Sequence, residues 1–221
     1  LFLNLLNRLN LHLLYLSKLT IMKNILFTLA LLVYFNLNSQ TNSDVKSVFT
    51  NDLDKFFQYS SDKNFTKLFD LINPKLFNLV SREQLTELYE MTLDEERSGM
   101  KFNFGKPTIT SISNRFDFEG YKYYMIYYKS TLEIQIVSEE YISVIENLKD
   151  NLKNEYSKKS DSFEFDTKTN TFKMKGLQQS MIASNEDNTD NWKYIEYKTD
   201  SQTLTMMNSI LPSEVLDRLT K

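Results

Sequence analysis

The chemistry that this sequence could support is concentrated in a run of phenols with carboxylates nearby. Five tyrosines fall within eight residues: Tyr121, Tyr123, Tyr124, Tyr127 and Tyr128. A phenol offers apolar area with a polar tip, which suits a ligand pocket or a proton donor beside a buried carboxylate. Glu119 and Glu133 flank the run, and Trp192 adds another amphipathic ring late in the chain. These residues are the candidates for ligand binding or for acid–base chemistry.

Other chemistries are excluded by residue types that are missing from the sequence. There is no cysteine, which rules out disulfides, thiol catalysis and cysteine-ligated zinc. The one histidine, His12, precedes the part that we expect to fold, so histidine bases and histidine metal ligands are excluded there. The acidic run 94–96 has the pattern of a solvated helix terminus. Loop 185–191 lacks the glycine and terminal glutamate of a calcium loop. We therefore predict no cofactor and no metal site.

Residues 22–40 have the pattern of a secretory signal peptide. Lys23 provides the charged start, 25–35 are apolar, and 36–40 are polar and can hold the cleavage site. The apolar stretch is shorter than the ~20 residues of a transmembrane helix. We expect export to the periplasm or the medium, with membrane contact only through an uncleaved N-terminal segment. We interpret 1–21 as upstream, non-native sequence; a retained amphipathic or membrane segment is the alternative.

The expected mature part is acidic. Residues 1–40 carry three basic residues and no acidic one, which leaves 23 basic against 29 acidic residues and a net charge of −6 for 41–221. A nucleic-acid partner normally requires a basic face, so we predict none.

Helical patterns come first in this part. Apolar residues recur every three or four positions over 44–62, and a second helical segment covers 64–72 before Asn73-Pro74 interrupts it. Ser81 and Gln84 have the spacing of a capping box, which predicts a third helix, and Gly99 is a suitable stop.

Strand patterns follow. We interpret 100–137 as the central hairpin of a sheet, with a turn at Glu119-Gly120 and its longest strand over 121–137. Alternation places Tyr121, Tyr123 and Tyr127 on one side of that strand and Tyr124 and Tyr128 on the other. Such rings can line a pocket or simply pack across strands.

The second half adds one helix and further strands. Ser138 predicts a helix over 139–157, a hairpin covers 163–174, and Gly176 predicts a bulge before a strand over 177–184. A last strand over 192–198 precedes a short final helix after Pro212. The predicted class is α+β, with one domain over 41–221. Its N-terminal helices pack on a curved, mostly antiparallel sheet, and the additional helix is inserted between strands.

Three helices before a bent sheet, with the late segments NWKYIEY and LPSEVL, resemble the nuclear transport factor two-like (SnoaL-like) α+β cone superfamily, especially small exported bacterial proteins. The resemblance covers 44–221 and implies an apolar pocket between helices and sheet. Enzymes of that fold use a carboxylate or histidine base with a tyrosine or second acid as donor. Many relatives are binding or assembly modules. No residue here matches the catalytic motif, so no catalytic position is assigned.

The favoured hypothesis is a secreted or periplasmic, non-enzymatic module that binds a small apolar ligand or a protein partner. Its candidate ligand-binding residues are Tyr123, Tyr124, Tyr127, Tyr128, Glu133 and Trp192. One alternative is an acid–base enzyme of the isomerase or dehydratase type, with Glu133 or Glu119 near Tyr124 or Tyr128. The catalytic carboxylate should then be buried with a raised pKa. The other alternative is a structural envelope protein with an exposed sheet edge or apolar helix face.

Overall fold

The computed structural model describes residues 43–186 and 189–220. Its helices are α1 (Ser43–Ser61), α2 (Phe65–Leu71), α3 (Arg82–Leu93), α4 (Glu95–Ser98), α5 (Glu139–Ile142), α6 (Ile145–Tyr156), α7 (Ser201–Ile210) and α8 (Ser213–Leu219), with a 3-10 turn at Pro74–Asn78. Its strands are β1 (Met100–Phe104), β2 (Thr108–Ile112), β3 (Phe116–Phe118), β4 (Tyr121–Ile136), β5 (Ser162–Asp166), β6 (Thr171–Glu186) and β7 (Lys193–Glu196). The predicted signal peptide at 22–40 and the segment 1–21 lie outside the described residues.

Two long strands form the centre of the sheet. β4 and β6 each have 16 residues and pair antiparallel along almost their full length. β1, β2 and β3 follow one another along the outer side of β4, while β5 and β7 lie along β6. Each of these strand pairings is antiparallel, so the predicted α+β class with a curved, mostly antiparallel sheet is confirmed. The prediction of a central hairpin over 100–137 is wrong in one respect, because β1–β3 lie at an edge.

The sheet has two covered faces, which we name after the helices packed on them. On the α1 face, Ile126 of β4 packs in one buried cluster with Phe49 and Leu53 of α1. On the α8 face, Met125 of β4 packs with Val215 of α8. Successive side chains of a strand point to opposite faces, so β4 contributes to both cores.

A bulge at Gly176 changes which residues of β6 lie on which face. Ser130 pairs with Leu177 but Leu132 pairs with Met174, so β6 has one extra residue between these pairs. Gly176 has φ +61, and a Cβ there would lie 2.0 Å from Asp161 Oδ2. Odd-numbered residues of β6 therefore lie on the α8 side before the bulge and on the α1 face after it.

Local sequence signals are mostly confirmed. Ser81 and Gln84 form the predicted capping box at the start of α3. Gly99 ends α4 in the left-handed conformation with φ +67. Glu119 and Gly120 both have positive φ in the tight turn between β3 and β4.

Other local predictions need correction. The helix predicted over 139–157 is divided into α5 and α6, and Ser138 occupies the N-cap position of α5 without a side-chain hydrogen bond. Asp94 caps the short helix α4. The sequence analysis missed α7, whose N-cap Asp200 accepts a hydrogen bond from Thr203 N at 2.9 Å. Its turns are rich in serine and threonine, which are weak helix formers. Across 43–186 and 189–220, we find no helix with the length and apolarity needed to span a bilayer.

Candidate functional site

The predicted ligand-binding tyrosines are divided between the two faces. Tyr123 and Tyr127 lie on the α8 face, and Tyr124 and Tyr128 lie on the α1 face with Trp192. The division follows from strand alternation, as the sequence predicted. These residues therefore do not form one common pocket.

The α8-face tyrosines belong to a packed core. Tyr123 is 3% exposed, and burial, followed by the nearby Tyr121 and Glu119, raises its pKa to about 12. Burial also raises the pKa of Tyr127. Both rings contact the cluster formed with α7 and α8, so their phenols contribute packing area at this place.

Glu133 and Glu119 lack the environment that the acid–base hypothesis requires. Glu133 lies on the open part of the α8 side, where it forms an ion pair with Lys173 and accepts a hydrogen bond from Asn103 Nδ2 at 3.2 Å. The hydrogen bond from Lys173 lowers the pKa of Glu133, and burial opposes this only in part. Glu119 is exposed at the turn before β4. Glu133 is therefore not a buried carboxylate with a raised pKa, because the alternation of β4 directs it away from the α1 face. Glu119 is not buried.

Tyr124 and Trp192 do come together on the α1 face. Their ring centroids are 5.6 Å apart, and Phe49 lies 5.4 Å from Tyr124 and 4.9 Å from Trp192 in edge-to-face arrangements. Phe49 is fully buried, whereas the other two rings are half-buried. We call these three residues the aromatic corner. Such a corner offers apolar contact area that is still partly open to solvent.

A buried glutamate–lysine pair lies on the same face at the end of β7. Glu196 is paired in register with Met181 of β6, and Lys198 follows two residues later. Lys198 Nζ is 3.5 Å from Glu196 Oε2, and the two side chains are 3% and 17% exposed. Burial raises the pKa of Glu196 to about 8, although Lys198 opposes the shift. Burial also lowers the pKa of Lys198. Both shifts favour the uncharged forms, because low polarity disfavours ions.

Three phenols surround this pair. Burial and then the charge on Glu196 raise the pKa of Tyr89 from α3 and of Tyr128 from β4. Burial raises the pKa of Tyr156 from α6, with further contributions from Glu155 and Glu196. We call Glu196, Lys198 and these three tyrosines the Glu196 cluster.

The surrounding elements hold the phenols in place. Tyr89 lies against Phe65 and Phe69 of α2, with ring centroids 5.5 and 5.9 Å away. Tyr128 packs edge-on to Phe57 of α1 at 6.0 Å. These contacts come from helices on the α1 face, so the cluster lies between the sheet and its helical cover.

The C-terminal end of α6 is fixed to the sheet beside the cluster. Lys159 O accepts a hydrogen bond from Gln178 N at 2.9 Å, just after the Gly176 bulge. In the sheet beneath the cluster, Ser130 Oγ donates a hydrogen bond to Gln179 Oε1 at 2.8 Å, and both side chains are buried. The bulge is what places Gln179 on this face, opposite Tyr128.

Two polar atoms of the cluster have unused hydrogen-bonding capacity. Within the described residues, Glu196 Oε1 and Tyr156 Oη are buried and have no hydrogen-bond partner. Buried polar groups are nearly always paired in folded proteins, so such atoms often mark a place where water or a ligand binds. The arrangement can bind a polar group, or it can hold and move a proton at Glu196.

The sequence analysis missed Glu196. It placed a strand over 192–198, and alternation within that strand puts Trp192, Tyr194, Glu196 and Lys198 on one side. Its position on the same side as Trp192 and Tyr194 was the signal that could have identified Glu196. The surroundings of Glu196 include Tyr89 of α3 and Tyr156 of α6, which come from distant parts of the chain.

Comparisons with known proteins assign neither a family nor a function to this chain. No protein-family model, curated protein or solved structure matches this chain. Within the part of the chain that the structure describes, no group of three or more acidic or histidine side chains is arranged to hold a metal ion.

Proposed function

We propose that the protein is an exported, non-enzymatic α+β module that binds a small, largely apolar ligand between the α1 face and its covering helices. The observation that carries the proposal is the Glu196 cluster, whose Glu196 Oε1 and Tyr156 Oη are buried without a partner among the described residues. The polar end of a ligand would complete these hydrogen bonds.

The apolar body of such a ligand has suitable contact partners on the same face. The aromatic corner supplies half-buried rings at one end of β7, and the phenol rings of the cluster lie at the other end. Tyr194 lies between them, and its hydroxyl donates to Asp52 Oδ2 at 2.7 Å, which fixes β7 to α1. Pockets of this kind are mostly apolar with a few placed polar groups.

The pattern of residues 22–40 supports export, and the resemblance to the nuclear transport factor two-like superfamily supports a ligand site between helices and sheet. Membership in that superfamily is part of the proposal.

Native mass spectrometry tests the proposal on protein that has been exported with its own signal and purified without refolding. We expect a mass that begins near residue 40 and carries a small-molecule adduct. Glu196→Gln should reduce the adduct, whereas Glu133→Gln, a matched change on the open α8 side, should retain it. An adduct-free wild type, or equal adducts in both variants, would contradict the proposal. Concentration-dependent oligomers without an adduct would instead favour the structural envelope hypothesis.

Acid–base catalysis is a second candidate function, and Glu196 rather than Glu133 or Glu119 favours it. A carboxyl group with a pKa of about 8 can accept and return a proton near neutral pH. Tyr128 or Tyr156 would act as the neutral hydrogen-bond donor. An isomerase or dehydratase activity that follows the ionisation of Glu196 and is lost in Glu196→Gln would establish it. A bound ligand recovered chemically unchanged would contradict it.

A further inference from the structure

The buried polar atoms around Glu196 include several that can only accept hydrogen bonds. Asp200 Oδ2 and Glu155 Oε1 are buried and, like Glu196 Oε1, have no hydrogen-bond partner in the described ranges. Glu155 Oε1 does lie 3.7 Å from Lys159 Nζ, which is an ion-pair distance. When these carboxylates are ionised they have no proton to donate, so the partner that completes their hydrogen bonds is then a donor.

The charges of these carboxylates affect the pKa values of neighbouring groups in the Glu196 cluster. The charge on Asp200 affects the pKa values of both Glu196 and Lys198. Glu155 and Glu196 both act on the pKa of Tyr156, whose side chain is fully buried and whose hydroxyl has no partner in the described residues. The Tyr156 hydroxyl is therefore an independent buried polar group that lies near enough to both carboxylates to respond to their charges.

Among the described residues, the charges around Glu196 do not balance when all groups are ionised. Glu155, Glu196 and Asp200 carry three negative charges, and Lys159 and Lys198 carry two positive ones. A single added positive charge would neutralise the group. Phenol rings stabilise cations through their faces. The Glu196 cluster supplies three such rings, and Lys159 Nζ already lies 5.8 Å from the ring centroid of one of them, Tyr156.

We propose that the Glu196 cluster binds the primary ammonium group of a small amine and that binding releases a proton from Glu196. This inference rests on the proposed function, since the ammonium group would be the polar end of the bound ligand. The ammonium hydrogens would be donated to the carboxylate oxygens, and its charge would replace that of the proton. No covalent bond forms or breaks except the O–H bond of Glu196, whose proton passes to the buffer.

The proton and the amine compete because both neutralise the same carboxylate. With a pKa of about 8, Glu196 is mostly protonated at pH 7 without an amine. An alkylamine, like a lysine side chain, stays charged to about pH 10. Among the described residues, the groups linked to Glu196 by charge are Tyr89 from α3, Tyr128 from β4, Tyr156 from α6, and Lys198 and Asp200 after β7. Glu155 acts on Tyr156, and Lys159 acts on Lys198.

Isothermal titration calorimetry with n-butylammonium chloride tests the inference, and n-butanol serves as the uncharged probe of the same shape. Titrations in phosphate and in Tris at the same pH report the protons released. We expect n-butylammonium to bind and n-butanol to bind at least about tenfold more weakly. About one proton should be released at pH 6.5, and the affinity should fall about tenfold from pH 7 to pH 6.

The variants separate the inference from general effects of mutation. Glu196→Gln should abolish proton release and flatten the pH dependence, whereas Glu133→Gln should behave as the wild type. Equal binding of both probes, or amine binding without proton release, would overturn the inference. If native mass spectrometry finds a neutral retained ligand while n-butylammonium does not bind, this inference fails and the proposed function stands. If neither probe binds and no adduct is found, both fail.

Discussion

Two glutamate–lysine pairs on one sheet respond to their surroundings in opposite directions. Glu133 and Lys173 face each other on the open α8 side, and hydrogen bonding between them lowers the pKa of Glu133 and raises that of Lys173. Glu196 and Lys198 are buried on the α1 face, where burial raises the pKa of Glu196 and lowers that of Lys198. The same two residue types favour ions in one place and neutral groups in the other. Desolvation, and not the identity of the partner, decides the sign.

The largest expected effect is a slope of stability with pH that belongs to the buried pair. The folded-state pKa of Glu196, about 8, exceeds its ordinary value of 4.5, so the folded state holds a proton that the unfolded state has lost. This contribution is complete below the ordinary pKa and is lost as pH rises through about 8. Between pH 5 and 8 the free energy of unfolding should fall by about 1 kcal/mol per pH unit through this group.

Urea denaturation at pH 5, 6.5 and 8 measures this slope in the wild type and in Glu196→Gln. The variant should lack the component due to Glu196. Glu133→Gln should leave the slope unchanged in that range, because a lowered pKa contributes stability that is lost only as pH falls through the folded value. Parallel profiles for the wild type and Glu196→Gln would remove the contrast between the pairs.

The next largest difference should be between the stability losses caused by replacing Lys198 and by replacing Lys173. At pH 9, Lys198→Met leaves a buried carboxylate without its partner and should cost about 3 kcal/mol. The cost should shrink at pH 6, where Glu196 is protonated. Lys173→Met on the open side should have little effect, since solvent screens the remaining charge. Chemical denaturation at both pH values checks this, and equal losses in the two variants would contradict it.

The Gly176 bulge lies along β6 between the two glutamate–lysine pairs. A substitution at Gly176 should cost less stability than the loss of Lys198. Gly176→Ala meets both a positive φ and the Asp161 carboxylate, so about 2 kcal/mol of stability should be lost. Gly120→Ala is the matched control, because Gly120 has φ +76 but open space around the added Cβ. The control should lose about 1 kcal/mol from backbone strain alone. Equal losses, measured by urea denaturation, would mean that the contact with Asp161 is unimportant.

Two tyrosine-to-phenylalanine changes on the α1 face should give the smallest difference in stability. Tyr156→Phe removes a hydroxyl without a hydrogen-bond partner in the described residues, so stability should change by less than about 0.5 kcal/mol. Tyr194→Phe removes the hydrogen bond to Asp52 Oδ2 and should cost about 1 kcal/mol. Thermal unfolding of the two variants measures this difference, and intact-protein mass spectrometry checks that each variant carries only the intended change. A larger loss in Tyr156→Phe would show that its hydroxyl is satisfied in solution.

The sequence predicted features that depend on neighbouring residues. The capping box at Ser81, the turn at Gly120 and the bulge at Gly176 each follow from the conformational preferences of a few residues. Strand alternation likewise assigned Tyr123 and Tyr124 to opposite faces. The fold class followed from the order of these elements.

Features that depend on distant segments were not predictable. Glu133 and Glu196 both occupy alternating strand positions, and nothing local distinguishes them. Glu196 is the buried one because segments from distant parts of the chain surround it, including Tyr89 of α3 and Tyr156 of α6. The same reasoning applies to α7, whose buried Met207 and Ile210 gain their stability from the α8-face core.

The long pairing of β4 with β6 has a consequence for when the Glu196 cluster forms during folding. The two strands are joined through α5, α6 and β5, so their ladder closes only between residues far apart along the chain. Such non-local contacts slow folding, because loop-closure entropy is lost before the contacts form. The Glu196 cluster draws on segments from Tyr89 to Lys198, so it exists only when this ladder and its cover are complete. Under the proposed function, ligand capture would therefore report that the chain has finished folding.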